Sequence, residues 1–485
     1  MNILLKSKYL IFICLITVLF FYKNPLSDWL EGDLENIYFI YNTLLTANSI
    51  VPDVIDYPGN ANFSVNSIYL KIIKIFDSSL IINLEELINH NKPKNNLNEI
   101  YFYLKILQFF YFLILAFLIL KILEYLSQNK NMSFFLTLFF ILSATFIDNI
   151  ERYRFDIESL LFCVLTNFFL IKAYEEKRKK FFIFLSGFFL CLTFFSKLLV
   201  IPLLLIIPII FYFRKKRLND FIKQFFLTKD MILPFVILNI CFFLIYLYFS
   251  YPIILIITNN LIYLSFYFFY IQFLNFIDAK NKYYFLFIFF LGMSTCLLFM
   301  FSQALNFQKI LLVMSPFSIF NNHFSIVDNS QIVNNLSSII FNIKFDYVQI
   351  FLLLNIFFLI IKFYPKNLFI NLVILAIYFF YRFIYSIKFG VYMDIFPIFL
   401  LIVIISMNTN FRYQTHLILL LFIINLVTNF HFIKNNKFNK RIDDSLVCEV
   451  NNLTKKEFLS LKKEENFILY YTPKFADYNF LKKLC

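Results

Sequence analysis

Apolar residues arrive along this chain in runs of about 16 to 22, long enough for a helix to cross the roughly 30 Å hydrocarbon core of a bilayer. The runs predict an all-α polytopic membrane protein with about thirteen spans, near 9–23, 100–126, 133–147, 156–173, 181–195, 198–213, 231–249, 253–274, 283–301, 347–361, 368–385, 391–406 and 415–433. No small-residue cleavage site follows the first run, so it reads as a retained helix and not as a removed signal.

Three polar segments interrupt this pattern. The first, about 24–98, is too long for a connector and carries helical periodicity of its own. Leu34, Ile37, Tyr38, Tyr41, Leu44 and Leu45 make one stripe; Val65, Ile68, Tyr69, Ile72, Ile73 and Phe76 make another. Each predicts an amphipathic helix on the membrane surface, with the turn Asp56-Tyr57-Pro58-Gly59-Asn60 between them. The second segment, 302–346, is Asn-rich, holds His323, and suits a lid or a plain connector. The third, 434–485, has soluble composition, a capping box at Thr454 and Glu457, and a strand pattern over 467–471. The organisation expected is a transmembrane module over 1–433 and a small C-terminal segment over 434–485, packed on the bundle.

Charge orients the module. Lys and Arg favour one set of connections over the other by about three to one, led by Lys177 to Lys180 and Arg214 to Arg217. That bias predicts a cytoplasmic N-terminus, and a first loop and C-terminal segment outside, in a bacterial inner (plasma) membrane. Hydrophobic residues make up 61% of the chain and charged ones 15%, so the net charge of +14 is chiefly this topology signal. A nucleic-acid partner is excluded, because the basic residues are scattered over many loops and form no single face. The 73 Phe, with abundant Ile, Asn and Lys, reflect AT-rich coding more than an aromatic binding surface. The seven Cys show no metal-binding spacing; Cys448 and Cys485 could pair in an oxidising compartment.

Against so apolar a background the outer charges stand out. Asp28, Glu31, Asp33 and Glu35 follow the first span, and Gly32 beside Asp33 permits close approach of a ligand. A carboxylate there can take a proton from a hydroxyl or hold a divalent cation, or simply mark an outer loop. Asp148, Glu151, Arg152, Arg154 and Asp156 crowd a turn between two spans. Their guanidinium groups suit phosphate, or close the turn as ion pairs such as Arg154 with Glu158. Lys197, at an outer reversal, needs a carboxylate or phosphate if buried, or snorkels to headgroups. Arg382 sits near the outer end of its span and pairs with Asp394 in the simplest account.

This layout resembles the GT-C superfamily of membrane glycosyltransferases, in the branch of the aminoarabinose transferases and protein O-mannosyltransferases. The order of parts carries the resemblance: one span, a large outer loop opening with Asp, many spans, an outward tail. The stretch Arg154-Phe155-Asp156-Ile157-Glu158-Ser159-Leu160, Ala173-Tyr174, Gly187 and Lys197 with Pro202 and Pro208 adds local likeness, over residues 8–213. The resemblance implies a polyprenyl-phosphate-linked sugar donor, an outward active site and inversion at the anomeric carbon. It would make Asp33 the catalytic base or a metal ligand, with Asp148 as a second ligand for magnesium or manganese. Arg152, Arg154 and Lys197 would hold the lipid phosphate, with Glu35, Arg382 and His323 as additional site residues. Asp33 is followed by Leu34 where the mannosyltransferases have an Asp-Glu pair, which argues against mannosyl transfer onto protein.

Two other functions fit the same class of chain. A polysaccharide polymerase or ligase usually has its largest outer loop late, whereas here the first loop is longer than 302–346. A flippase or transporter of lipid-linked sugars would place polar groups near the bilayer midplane, and mid-span charge is almost absent here.

Overall fold

The computed structural model describes residues 35–52, 59–90, 93–143, 145–146, 149, 153–197, 200–215, 253–303, 368–379 and 395–407. Among these the regular structure is helical: α1 (Glu35–Ala47), α2 (Asn60–Phe76), α3 (Leu84–Asn89), α4 (Pro93–Ser127), α5 (Lys130–Ile141), α6 (Phe155–Glu175), α7 (Lys179–Ser196), α8 (Ile201–Leu204), α9 (Ile206–Lys215), α10 (Ile253–Ile277), α11 (Lys282–Phe301), α12 (Leu368–Phe379) and α13 (Ile395–Met407). Four of them, α4, α6, α7 and α11, are long and apolar enough to cross a membrane. The chain has the build of a multi-pass helical membrane protein. The spans expected at 9–23, 231–249, 347–361 and 415–433, and the C-terminal segment with Cys448 and Cys485, lie outside the described residues.

Side-chain contacts fix the directions of the helices. Tyr101 near the start of α4 meets Tyr153, just before α6, and Tyr125 and Tyr174 near their ends both pack on Phe211, so α4 and α6 run parallel. An ion pair from Asp156 to Lys197 joins the start of α6 to the end of α7, which is antiparallel to it. Lys180 lies 4.8 Å from the Tyr284 ring centroid and Phe188 6.3 Å from that of Phe299, so α7 and α11 run parallel. Glycine brings these two helices together. A Cβ on Gly187 would stand 2.1 Å from the Phe289 carbonyl oxygen, and one on Gly292 2.1 Å from that of Phe184. The outer face of α11, including Phe287, Phe290, Leu291 and Leu298, remains exposed, as a helix bathed in lipid requires.

The bundle therefore has two unlike ends. At one, Lys121, Lys130, Lys172, Lys177 to Lys180, Arg214, Lys280 and Lys282 collect, with Arg214 donating to the Leu126 carbonyl and Lys179 to that of Ile277. At the other, the first loop folds back as a cap. Its helices α1, α2 and α3 share a separate core with the start of α4, built from Phe39, Leu44, Phe63, Leu70, Leu80, Leu87, Leu97, Tyr101 and Phe155. At 35 residues α4 is roughly 50 Å long, well beyond a single crossing. Its first turns enter the cap core, and its segment from Tyr111 to Leu126 enters the main one. Asn96 pins the cap to α4 by hydrogen bonds in both directions with the Ile81 backbone, at 2.9 and 2.7 Å.

Two expectations change. The first-loop helices were expected to lie on the membrane by an apolar stripe. Instead, α1 is buried on every side from Phe39 to Thr46, because α2 packs along it and Phe39 meets Tyr153 and Phe155 at the start of α6. In α2 the apolar stripe keeps an outward end, with Ile72, Ile75 and Phe76 exposed, whereas Asn62, Ser64, Asn66 and Ser67 are buried in the cap. The expected span 198–213 is also two short helices. Pro208 cannot donate to the Leu204 carbonyl four residues back, and the helix breaks at Leu205.

Candidate functional site

The start of α6 carries two acids two residues apart, Asp156 and Glu158. A helix turns about 200° over that spacing, so they serve opposite sides of α6. Both favour the partial positive charge of the helix N-terminus. Both are also buried, which demands a partner for each.

Asp156 has Lys197. Each side chain is 2% exposed, and the ammonium lies over the Phe396 ring at 6.0 Å from its centroid, bringing the start of α13 to the same point. Lys197 caps the C-terminus of α7, where a cation is also favoured by the helix dipole. Of the two anions that the sequence allowed for a buried Lys197, the one found in the fold is a carboxylate.

Glu158 faces a different group. Asn66 from α2 donates to its Oε2 at 3.4 Å and to the Tyr153 hydroxyl at 2.7 Å, while Tyr111 from α4 donates to Asn66 Oδ1 at 3.4 Å. Asn62 lies beside the same carboxylate, and Thr43 of α1 beside Tyr153. Two other helices, α2 and α4, thus reach this carboxyl, with Tyr153 and Thr43 linked to it through Asn66. Among the described residues, Glu158 Oε1 and both amide atoms of Asn62 have no hydrogen-bond partner. Burial pushes the Tyr153 phenol well above its ordinary range, so it stays neutral. Aromatic rings pack beside this cluster: Tyr153 meets Phe39, Tyr101 and Phe155 edge-on, and Phe63 packs on Phe155. Buried carboxyl and amide groups beside aromatic faces are the chemistry that recognises hydroxyl groups.

Arg154, just ahead of α6, is also buried, and Gln108 of α4 donates to its carbonyl at 3.4 Å and to that of Asn149 at 3.1 Å. Of the site residues expected from the sequence, Arg154 and Lys197 are thus brought to one end of the bundle, flanking the Asp156 and Glu158 helix start. Glu35 opens α1. Asp33, Asp148, Arg152, His323 and Arg382 lie outside the described residues. No group of three His, Cys, Asp or Glu side chains able to hold a metal occurs among the described residues. Sequence reasoning missed the Glu158 cluster. The available signal was Asn62 and Asn66, four apart on a helix whose other stripe is apolar.

Comparison of the chain with protein-family models, with curated proteins and with solved structures finds no match. The functional reading rests on the site alone.

Proposed function

We propose that this protein transfers a sugar from a polyprenyl-phosphate-linked donor to a lipid, glycan or protein acceptor at the outer face of a bacterial inner membrane. One observation carries the reading: in the described spans, ionisable side chains sit near the ends, and the buried ones gather at the capped end. A lipid-linked donor keeps its phosphate at headgroup depth, so a site that opens at one face meets it there. A transport pathway for a phosphate-bearing lipid would need charged groups at mid-depth, whereas the buried mid-span Asn167 and Ser186 are neutral and donate to the Leu203 and Thr166 carbonyls.

In this mechanism Asp33 takes the proton of the acceptor hydroxyl as its oxygen attacks the anomeric carbon. The bond to the phosphate oxygen breaks, and the departing lipid phosphate is held by Arg152 and Arg154. Lys197, already neutralised by Asp156, fixes the start of α6 and so positions Arg154 just before it. Glu158 and Asn62 offer acceptors and a donor to sugar hydroxyls. Magnesium or manganese at Asp33 and Asp148 would supply further charge to the phosphate when bound.

The test is transfer of labelled sugar from a polyprenyl-phosphate pool in membranes carrying the wild type or Asp33→Asn. The variant keeps the shape but removes the base, and turnover falls by about 10² or more. Equal transfer by both removes Asp33 from the mechanism. No transfer by either, with a confirmed donor pool, favours a flippase.

A further inference from the structure

Helix α2 has an end that the cap does not cover. Over its first three turns, Asn62, Phe63, Asn66, Ser67 and Leu70 face inward and are buried. Beyond Leu70 no residue of the helix is buried; Ile72 is 47% exposed, Ile75 78% and Phe76 83%. Ile68, Ile72, Ile75 and Phe76 are spaced i, i+4, i+7 and i+8, which puts them on one face. The last two turns thus project from the cap with a bare apolar edge. In water that edge would cost the full hydrophobic penalty of its isoleucine and phenylalanine side chains.

Its surroundings identify what covers it. Lys71 Nζ donates to Gln303 Oε1 at 3.3 Å, which ties the overhang to the end of α11. The outer face of α11 is apolar and exposed along its length, ending in Leu298 at 70% and Phe301 at 44%. The apolar edge of α2 therefore continues the lipid-facing surface of a membrane-crossing helix. Lys74, in the last turn, is half-buried beside that edge, at the depth where a span ends and phosphates begin.

The geometry points to insertion of the Ile72–Phe76 turns into the bilayer interface at the capped end, with Lys74 on an anionic lipid headgroup phosphate. The rest of α2 stays in the cap and carries Asn62 and Asn66 to Glu158, so one continuous helix runs from the lipid surface to the buried Glu158 cluster. This inference needs only that the bundle spans a membrane; it stands whether or not the protein transfers sugars.

The test places tryptophan at the overhang. Phe76→Trp, combined with Trp29→Phe to remove the single native tryptophan, is reconstituted in vesicles of phosphatidylcholine and phosphatidylglycerol. Glu85→Trp, at an exposed site on α3, is the water-facing control. The expected result is strong quenching of Phe76→Trp by lipids brominated near the headgroup end of the acyl chain, with acrylamide protection that the control lacks. When bromine is carried only on phosphatidylglycerol, Lys74→Gln lowers its local enrichment about fivefold. Quenching of Phe76→Trp no greater than the control overturns the insertion, and no change with Lys74→Gln overturns the phosphate contact. Each variant is read only after matching the wild type in size-exclusion profile, and Ile75→Trp repeats the depth measurement should Phe76→Trp fail to fold.

Discussion

Removing one partner of the Asp156–Lys197 pair is the most severe local change that the fold invites. Both side chains are 2% exposed, and Lys197 also touches the Phe396 ring, so the pair joins α6, α7 and α13. Replacing Lys197 with Met strands a buried carboxylate, which costs about 3–5 kcal/mol; Asp156→Asn strands the ammonium, at a similar cost. The double variant leaves no buried charge, and such exchanges are often close to neutral. The two single costs should therefore fail to add, leaving a coupling energy of several kcal/mol, above the usual range of about 0.5–3 kcal/mol for contacting residues. Thermal unfolding in detergent can be followed with a thiol-reactive fluorophore, because Cys163, Cys191 and Cys296 are buried in the folded bundle. Additive losses, or a loss below about 1 kcal/mol in Lys197→Met, would refute the buried pair, since that is the range of exposed ion pairs.

Gly187→Ala puts a Cβ 2.1 Å from the Phe289 carbonyl oxygen, a backbone atom that cannot swing away; the same unfolding assay should show a loss of about 1–3 kcal/mol. Asp77 accepts from the Ser79 hydroxyl and amide and from the Tyr103 hydroxyl, which hold its carboxyl below its ordinary range. Its contribution is complete above the unfolded pKa and is lost as pH falls through the lower folded value, so Asp77→Asn should lower stability slightly at neutral pH, converge with the wild type in acid, and so flatten the acid limb of an unfolding-versus-pH curve. Glu158→Gln keeps the shape and replaces the buried carboxyl with an amide; it should leave the cap folded, as limited proteolysis reads, while raising KM for the sugar donor more than it lowers kcat.

The long spans were legible because a bilayer leaves so few options: α4, α6, α7 and α11 coincide with uninterrupted apolar runs. The cap was not, for a physical reason. Periodicity identifies an apolar face without saying whether water, protein or lipid lies against it. In α2 the end of the stripe at Ile72 and Phe76 is exposed, whereas Asn62, Asn66 and Ser67 are buried in the cap. Lys197 was legible as a residue that needs an anion, whereas its choice of Asp156 depends on the antiparallel turn from α6 to α7. Glu158 was visible only as a helical neighbour of Arg154, since Asn62, Asn66 and Tyr111 reach it from 47 to 96 residues away by the long-range packing of α2 and α4 on α6.

All of these functional arguments place the two ends of the bundle on opposite sides of a membrane, with the capped end outside. Single cysteines at exposed Glu85 on the cap and exposed Arg178 at the basic end test this in intact cells, against the wild type as background. A membrane-impermeant maleimide should label Glu85→Cys at once and Arg178→Cys only after the membrane is permeabilised. Labelling of both in intact cells, or of Arg178→Cys alone, would contradict the account.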